Sequence, residues 1–106
     1  MLKIFSKIFR NAAKKNFREL MSEGAVIIDV RTKAEYQGGH IEGSVNIPLN
    51  LLQDNLSKFE KTKPVITCCA SGMRSANAKN ILESKGFIRV FNGGGWIGLK
   101  NKIDKQ

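Results

Sequence analysis

Cysteine is scarce in this 106-residue chain: there are two, and they are neighbours, Cys68 and Cys69. Adjacent cysteines do not build a disulfide framework, and nothing has the ligand spacing of a zinc site. A free thiol suits a reducing compartment, so the expected location is cytoplasmic. No apolar stretch approaches the roughly 20 residues of a membrane-spanning helix, so no transmembrane span is expected. Charges interrupt every apolar run near the start of the chain, which excludes a secretory signal peptide. There is no internal repeat and no low-complexity tract, and the length is that of one domain. Acidic residues are few as well, 9 against 18 lysines and arginines, for a net charge of +9. That field favours small anionic substrates and acidic protein partners. No aromatic-rich basic strand accompanies it, so specific nucleic-acid binding is not expected.

The positive charge is lopsided: Lys3, Lys7, Arg10, Lys14, Lys15 and Arg18 all precede the first acidic residue, Glu19. Among them Leu2, Phe5, Phe9 and Ala13 fall at helical spacing. Residues 1–15 thus read as a basic amphipathic segment that could lie on an anionic membrane. Packing of its apolar face on the domain, or fraying, is the preferred reading. The domain itself is expected over residues 16–106.

Within it, Asn16-Phe-Arg-Glu19 has the cap-x-x-Glu form and predicts a helix over 17–22, closed by Gly24. Ala25 to Val30 is a nearly continuous apolar run, the pattern of a strand covered on both faces. Thr32-Lys-Ala-Glu35 is a second capping box, opening a short helix that Gly38-Gly39 ends. Ser44 to Ile47 predicts a brief strand stopped by Pro48. Asn50 with Gln53 predicts a third helix carrying Leu52, Leu56 and Phe59 on one face. Pro64 to Cys68 reads as a buried strand, and a helix runs from Ala76 to a stop at Gly86. Phe87 to Phe91 predicts the next strand, and Trp96, Leu99 and Ile103 predict a short terminal helix. Strands alternating with helices imply an α/β fold with a parallel sheet, right-handed crossovers and helices on both faces.

The segment between the Pro64–Cys68 strand and the following helix carries the chemistry. Cys69-Ala-Ser-Gly-Met-Arg74 is a tight loop from the C-terminal end of a strand to the N-terminal end of a helix, where open α/β sheets bind ligands. Such a loop turns backbone N–H groups inward, and the helix dipole adds partial positive charge. A thiol placed there ionises more easily than a free cysteine. Cys69 is therefore the candidate nucleophile, facing an anion-binding cradle. Cys68, one position earlier, is expected to point to the other side of the strand and serve as core, with a resolving role for oxidised Cys69 as the alternative.

The motif Cys69-x-x-Gly72-x-Arg74-Ser75 resembles the active-site loop of the rhodanese family of sulfurtransferases. Two further stretches carry the same resemblance in the same order. The first is Ile28-Asp29-Val30-Arg31-Thr32 with Glu35-Tyr36, Gly39-His40-Ile41-Glu42-Gly43-Ser44 and Asn46-Ile47-Pro48-Leu49. The second is Asn92-Gly93-Gly94-Gly95-Trp96. Together they span roughly Phe17 to Leu99. The resemblance implies a rhodanese-like parallel sheet of four to five strands, the fifth supplied by the N-terminal segment. It also implies a double displacement. Cys69 thiolate attacks the sulfane sulfur of a donor such as thiosulfate, sulfite leaves, and a thiophilic acceptor, cyanide or a cellular thiol, takes the sulfur from the Cys69 persulfide. No metal or organic cofactor is implied.

Around Cys69, the backbone N–H groups of Ala70 to Ser75 are expected to hold negative charge as an oxyanion hole does. Ala70, Ser71, Gly72 and Met73 are expected to line the pocket, and Ser71 to hydrogen-bond the donor. Arg74 either binds a sulfonate oxygen or braces the loop through a carboxylate. By resemblance Asp29 braces the site, and Arg31 pairs locally with Glu35. His40, the single histidine, reads as a structural hydrogen-bonded residue, and Trp96 as core. Gly93 to Gly95 allow a tight turn near the active edge and lack the Lys-Ser/Thr of a phosphate loop. Two other readings compete. One is a persulfide carrier or binding module that works only with a protein partner. The other is a phosphatase or arsenate reductase, which needs Cys-x5-Arg; that count is met only from Cys68 to Arg74.

Overall fold

A computed structural model describes residues 16–105. The first helix, α1 (Phe17–Ser22), begins where the Asn16 side chain accepts the Glu19 backbone N–H at 2.8 Å. It leads into strand β1 (Val26–Asp29). Helix α2 (Lys33–Gln37) starts at a complete capping box: Thr32 Oγ1 accepts the Glu35 N–H, and Glu35 Oε1 accepts the Thr32 N–H. Then follow β2 (Val45–Asn46), α3 (Leu49–Leu52), β3 (Val65–Cys69), α4 (Met73–Ser84), β4 (Val90–Gly95) and α5 (Trp96–Lys105). The four strands form one parallel sheet in the order β2-β1-β3-β4. A fifth strand from the N-terminal segment would lie outside the described residues.

Because side chains alternate across a strand, each central strand feeds two cores. Ile28, Val65 and Cys69 face Leu52, Ala78 and Leu82, on the side covered by α3 and α4. Ile27, Ile66 and Cys68 face Leu20 and Leu99, on the side covered by α1 and α5. Helices therefore cover both faces, as the apolar runs predict. Among the described residues no helix is long and apolar enough to cross a membrane.

Four expectations about the elements change. The helix with Leu52, Leu56 and Phe59 on one face is only α3, four residues long, with Pro48 rather than Asn50 at its N-cap. The Asn55 amide donates to the Leu51 carbonyl at 2.7 Å where the helix gives way to turns, yet Leu52, Leu56 and Phe59 still share one core. The helix after the cysteines begins at Met73, not Ala76, so the loop proper is Ala70 to Gly72. Phe87 belongs to that helix's closing turn, its N–H bonded to the Leu82 carbonyl at 3.1 Å, which delays β4 to Val90. Finally, Gly93 to Gly95 form no tight turn; they are the second half of β4.

The glycines are strand residues for a packing reason. A Cβ on Gly95 would stand 2.8 Å from the Ala70 carbonyl oxygen. Between the pairs Thr67–Asn92 and Cys69–Gly95, β3 advances two residues and β4 three, a bulge absorbed by Gly94 at φ +76°. Bulges of this kind re-aim a strand beside functional sites. Here the bulge brings β4 against the Cys69 loop.

Candidate active site

Strand β3 delivers Cys69 to the C-terminal edge of the sheet, and the chain reverses into α4 through Gly72 at φ +110°. Glycine at this N-cap supplies the left-handed turn, but it has no side chain with which to cap the helix. The cysteine sulfur takes that place. Cys69 Sγ accepts the Gly72 N–H at 2.9 Å and lies 3.5 Å from Ser75 Oγ. Burial opposes ionisation of Cys69, but the hydrogen bonds open to its thiolate from the Ser75 hydroxyl and from the backbone N–H groups of Ser75, Gly72 and Ser71 outweigh it, so its pKa falls below the ordinary thiol value. The N-terminus of a twelve-residue helix points at the same atom. The loop thus favours a thiolate at the position the sequence singles out.

Cys68 has the opposite environment. It is wholly buried on the α1–α5 face and sits beside Asp29 in the β1–β3 register. Burial, reinforced by the Asp29 charge, pushes its pKa up to about 12. Both cysteines are free, and they face different cores.

The arginine expected to pair with Glu35 is not the one that does. Arg31 does not pair with the Glu35 carboxylate. Its guanidinium forks onto Asp29 at 2.8–3.1 Å, donates to the carbonyls of Gly39 (2.7 Å) and Glu35 (3.3 Å), and lies 4.8 Å from the Trp96 ring centre. The Asp29 hydrogen bond raises the Arg31 pKa, so the buried cation stays charged. Glu35 instead takes Arg74 in a bidentate pair at 2.7 and 2.9 Å. Of the two uses open to Arg74, the structure has it bracing: the first turn of α4 is tied to α2. The Arg74 hydrogen bond, with help from Thr32, lowers the Glu35 pKa to about 2.

Met73, expected to line a pocket, is 78% exposed and stands on the rim. Ala70 and Ser71 are exposed at the mouth, while Ser75 is buried beneath the sulfur. A family model described as the rhodanese-like domain matches residues 13–101. The chain belongs to this family.

Curated relatives of this rhodanese-like domain include the uncharacterized protein YqhL of Bacillus subtilis, 34% identical over 86 residues, covering 81% of this chain and 68% of that protein. Another is the uncharacterized protein YibN of Escherichia coli K12, 36% identical, covering 76% of this chain and 62% of that one. The chain thus spans about two thirds of the length of each. The thiosulfate sulfurtransferase PspE of Escherichia coli K12 is 37% identical, covering 64% of this chain and 67% of PspE. Among solved structures, a rhodanese with anions from E. coli superposes with a TM-score of 0.67 at 34% identity, covering 70% of this chain and 89% of that one. The human single-domain sulfurtransferase TSTD1 gives a TM-score of 0.70 at 25% identity, with 84% and 90% covered. The family and the relatives named as sulfurtransferases support a sulfurtransferase activity in general terms.

The remaining residues of the rhodanese-like domain fall into supporting positions. His40 is exposed, bonded through Nδ1 to the Tyr36 carbonyl at 2.8 Å and stacked on the Tyr36 ring at 3.8 Å. Trp96 is half-buried against the α1–α5 core and under Arg31, consistent with packing. Among the described residues no His, Cys, Asp and Glu cluster is arranged to hold a metal. One residue near the sulfur has no role in the sequence reading. Asn92 Oδ1 lies 2.6 Å from Ser75 Oγ and accepts the Gly94 N–H at 2.9 Å. Its signal is faint: a polar residue two positions after Val90, on the face of β4 that meets α4.

Proposed function

We propose that this domain is a sulfurtransferase that carries sulfane sulfur as a persulfide on Cys69. The observation that carries the reading is the Cys69 sulfur capping α4, with the Gly72 N–H at 2.9 Å and its pKa held below the ordinary thiol value. The thiolate attacks the outer sulfur of a small anionic donor such as thiosulfate. A Cys69–sulfur bond forms, the donor's sulfur–sulfur bond breaks, and sulfite leaves with the electron pair. The negative charge then rests on the terminal persulfide sulfur, among the N–H groups of Ala70 to Ser75. Cyanide or a thiolate attacks that sulfur and restores the Cys69 thiolate. The reaction draws on no metal, no organic cofactor and no general base. A reducing compartment such as the cytoplasm would keep Cys69 available.

The phosphatase reading needs Cys68 as nucleophile, and Cys68 is buried on the face away from α4 with its pKa pushed up to about 12. A partner-dependent carrier has one observation in its favour. The only cationic side chain of the motif, Arg74, is committed to Glu35, which leaves a dianionic donor the main-chain cradle alone.

Intact mass after incubation with thiosulfate tests these readings. Wild type and Cys68→Ser should gain one sulfur atom, removable by cyanide, and Cys69→Ser should gain none. Sulfur retained in Cys69→Ser would sink the assignment. Loading by a protein persulfide but not by thiosulfate would move the function to the carrier.

A further inference from the structure

Ser75 Oγ is buried and within hydrogen-bonding distance of three groups: Cys69 Sγ at 3.5 Å, the Gly72 carbonyl at 2.9 Å and Asn92 Oδ1 at 2.6 Å. A serine hydroxyl has one proton to donate. The Gly72 carbonyl already accepts the Ala76 N–H of α4 at 3.1 Å. The Asn92 amide orientation is settled by Gly94, whose N–H must meet an oxygen rather than the NH2 group. At 2.6 Å from that oxygen, the Ser75 hydroxyl donates to Asn92, and its lone pairs turn toward the sulfur. A neutral Cys69 thiol can then donate to Ser75. A thiolate cannot, and gains the Ser75 hydrogen bond only by taking the proton away from Asn92.

We infer that Asn92 is a positioning residue acting through Ser75: it competes with the Cys69 thiolate for the single Ser75 proton and so sets how strongly the sulfur is stabilised. The inference rests on the persulfide reading for its purpose. A thiolate that is stabilised too well is a poorer nucleophile. In turnover the hydroxyl follows the charge, toward Sγ while the thiolate is free, and back to Asn92 once Sγ is bonded to the transferred sulfur and the charge sits on the outer atom. Gly94 keeps Asn92 Oδ1 satisfied while the proton is away. The charged and titratable groups acting on this sulfur are Cys68 on its own strand and Arg74 on α4, itself paired with Glu35. Asn92, Gly94 and Gly95 from β4 are uncharged, so the competition at Ser75 is the β4 contribution.

The test is the pH dependence of Cys69 alkylation by iodoacetamide, localised by fragmentation mass spectrometry, in wild type, Asn92→Ala, Asn92→Asp, Ser75→Ala and the double variant Ser75→Ala/Asn92→Ala. Asn92→Ala should lower the midpoint by about half a pH unit, because the Ser75 proton is released to the sulfur. Asn92→Asp keeps the Gly94 acceptor, holds the Ser75 proton harder and adds negative charge, so it should raise the midpoint by about one unit. Ser75→Ala should raise it as well, and the double variant should match Ser75→Ala alone. An unmoved midpoint in Asn92→Ala, or the same shift with and without Ser75, would overturn the inference. Since Asn92 is exposed and alkylation requires no sulfur transfer, the result stands apart from the persulfide assay: failure to load sulfur would refute the proposed function and leave this profile readable.

Discussion

Two adjacent thiols should differ in reactivity by more than three orders of magnitude in the folded protein. The perturbation is a limiting pulse of iodoacetamide at pH 7. Only thiolate reacts, so the rate scales with the ionised fraction and with access. A free cysteine of pKa about 8.5 is about 3% thiolate at that pH. With its pKa pushed up to about 12 by burial and by Asp29, Cys68 is ionised in about one molecule in 100,000. It therefore reacts at least about 3,000-fold more slowly than a free thiol, before its complete burial is counted. Cys69, with its pKa below the ordinary value, should exceed the free thiol in thiolate fraction. Localisation by fragmentation mass spectrometry should find the label on Cys69 alone. In concentrated urea the helix cap and the core are both lost, and the two sites should label at comparable rates. Native labelling of Cys68 within tenfold of Cys69 would refute the reasoning, because it would mean that the alternation of faces along β3 does not separate the two thiols.

Glu35→Gln retains an acceptor for the Thr32 capping box while removing the charge that pairs with Arg74. The Glu35 pKa is lowered to about 2, so its stabilising contribution is present above the usual carboxylate range and lost as pH falls toward 2. The Tm difference between wild type and Glu35→Gln should accordingly shrink through that window in a series of thermal melts, and a constant difference would contradict it. Gly95→Ala places a methyl group 2.8 Å from the Ala70 carbonyl oxygen, a backbone atom that cannot yield cheaply. It should cost about 1–3 kcal/mol in urea unfolding and slow Cys69 alkylation in the folded protein, since the displaced strand pushes on the loop. Leu99→Ala empties a fully buried position on the α1–α5 face and should cost about 2–5 kcal/mol, with the alkylation midpoint of Cys69 unchanged because that sulfur faces the other core.

The clamp built by the two arginines explains how the loop can hold an anionic sulfur although its one cationic side chain, Arg74, is already paired with Glu35. Arg31 binds the end of β1 to the Gly39 carbonyl and the Trp96 ring, and Trp96 directly follows the glycine that packs on Ala70. Arg74 ties α4 to α2 from the other side. Main-chain N–H groups need no reorganisation when charge arrives, provided the backbone that carries them stays still. Both ion pairs serve that stillness.

Signals that act over a few residues were legible in the sequence. The Thr32–Glu35 capping box, the Asn16 cap, the apolar run of β1 and the Gly86 stop each state their own local geometry, and the motif from Cys69 to Ser75 names the candidate nucleophile. Period-two alternation also separates Cys68 from Cys69 without any tertiary information. Partnership across the fold is a different matter. Arg31 and Arg74 both lie within reach of acidic residues in the chain, and only the placement of α4 beside α2, 39 residues apart in sequence, awards Glu35 to Arg74. The glycines at 93–95 look like a turn because glycine favours turns; their role as a strand depends on what presses against them from β3 and the loop. Asn92 meets Ser75 across 17 residues and a β-bulge, a contact that no local pattern encodes. Sequence alone determines which atom can become the thiolate, since loop and helix propensities are local. Tertiary structure decides what competes for that thiolate's partners, since Asn92 reaches Ser75 from β4, a strand that only the folded sheet brings beside α4.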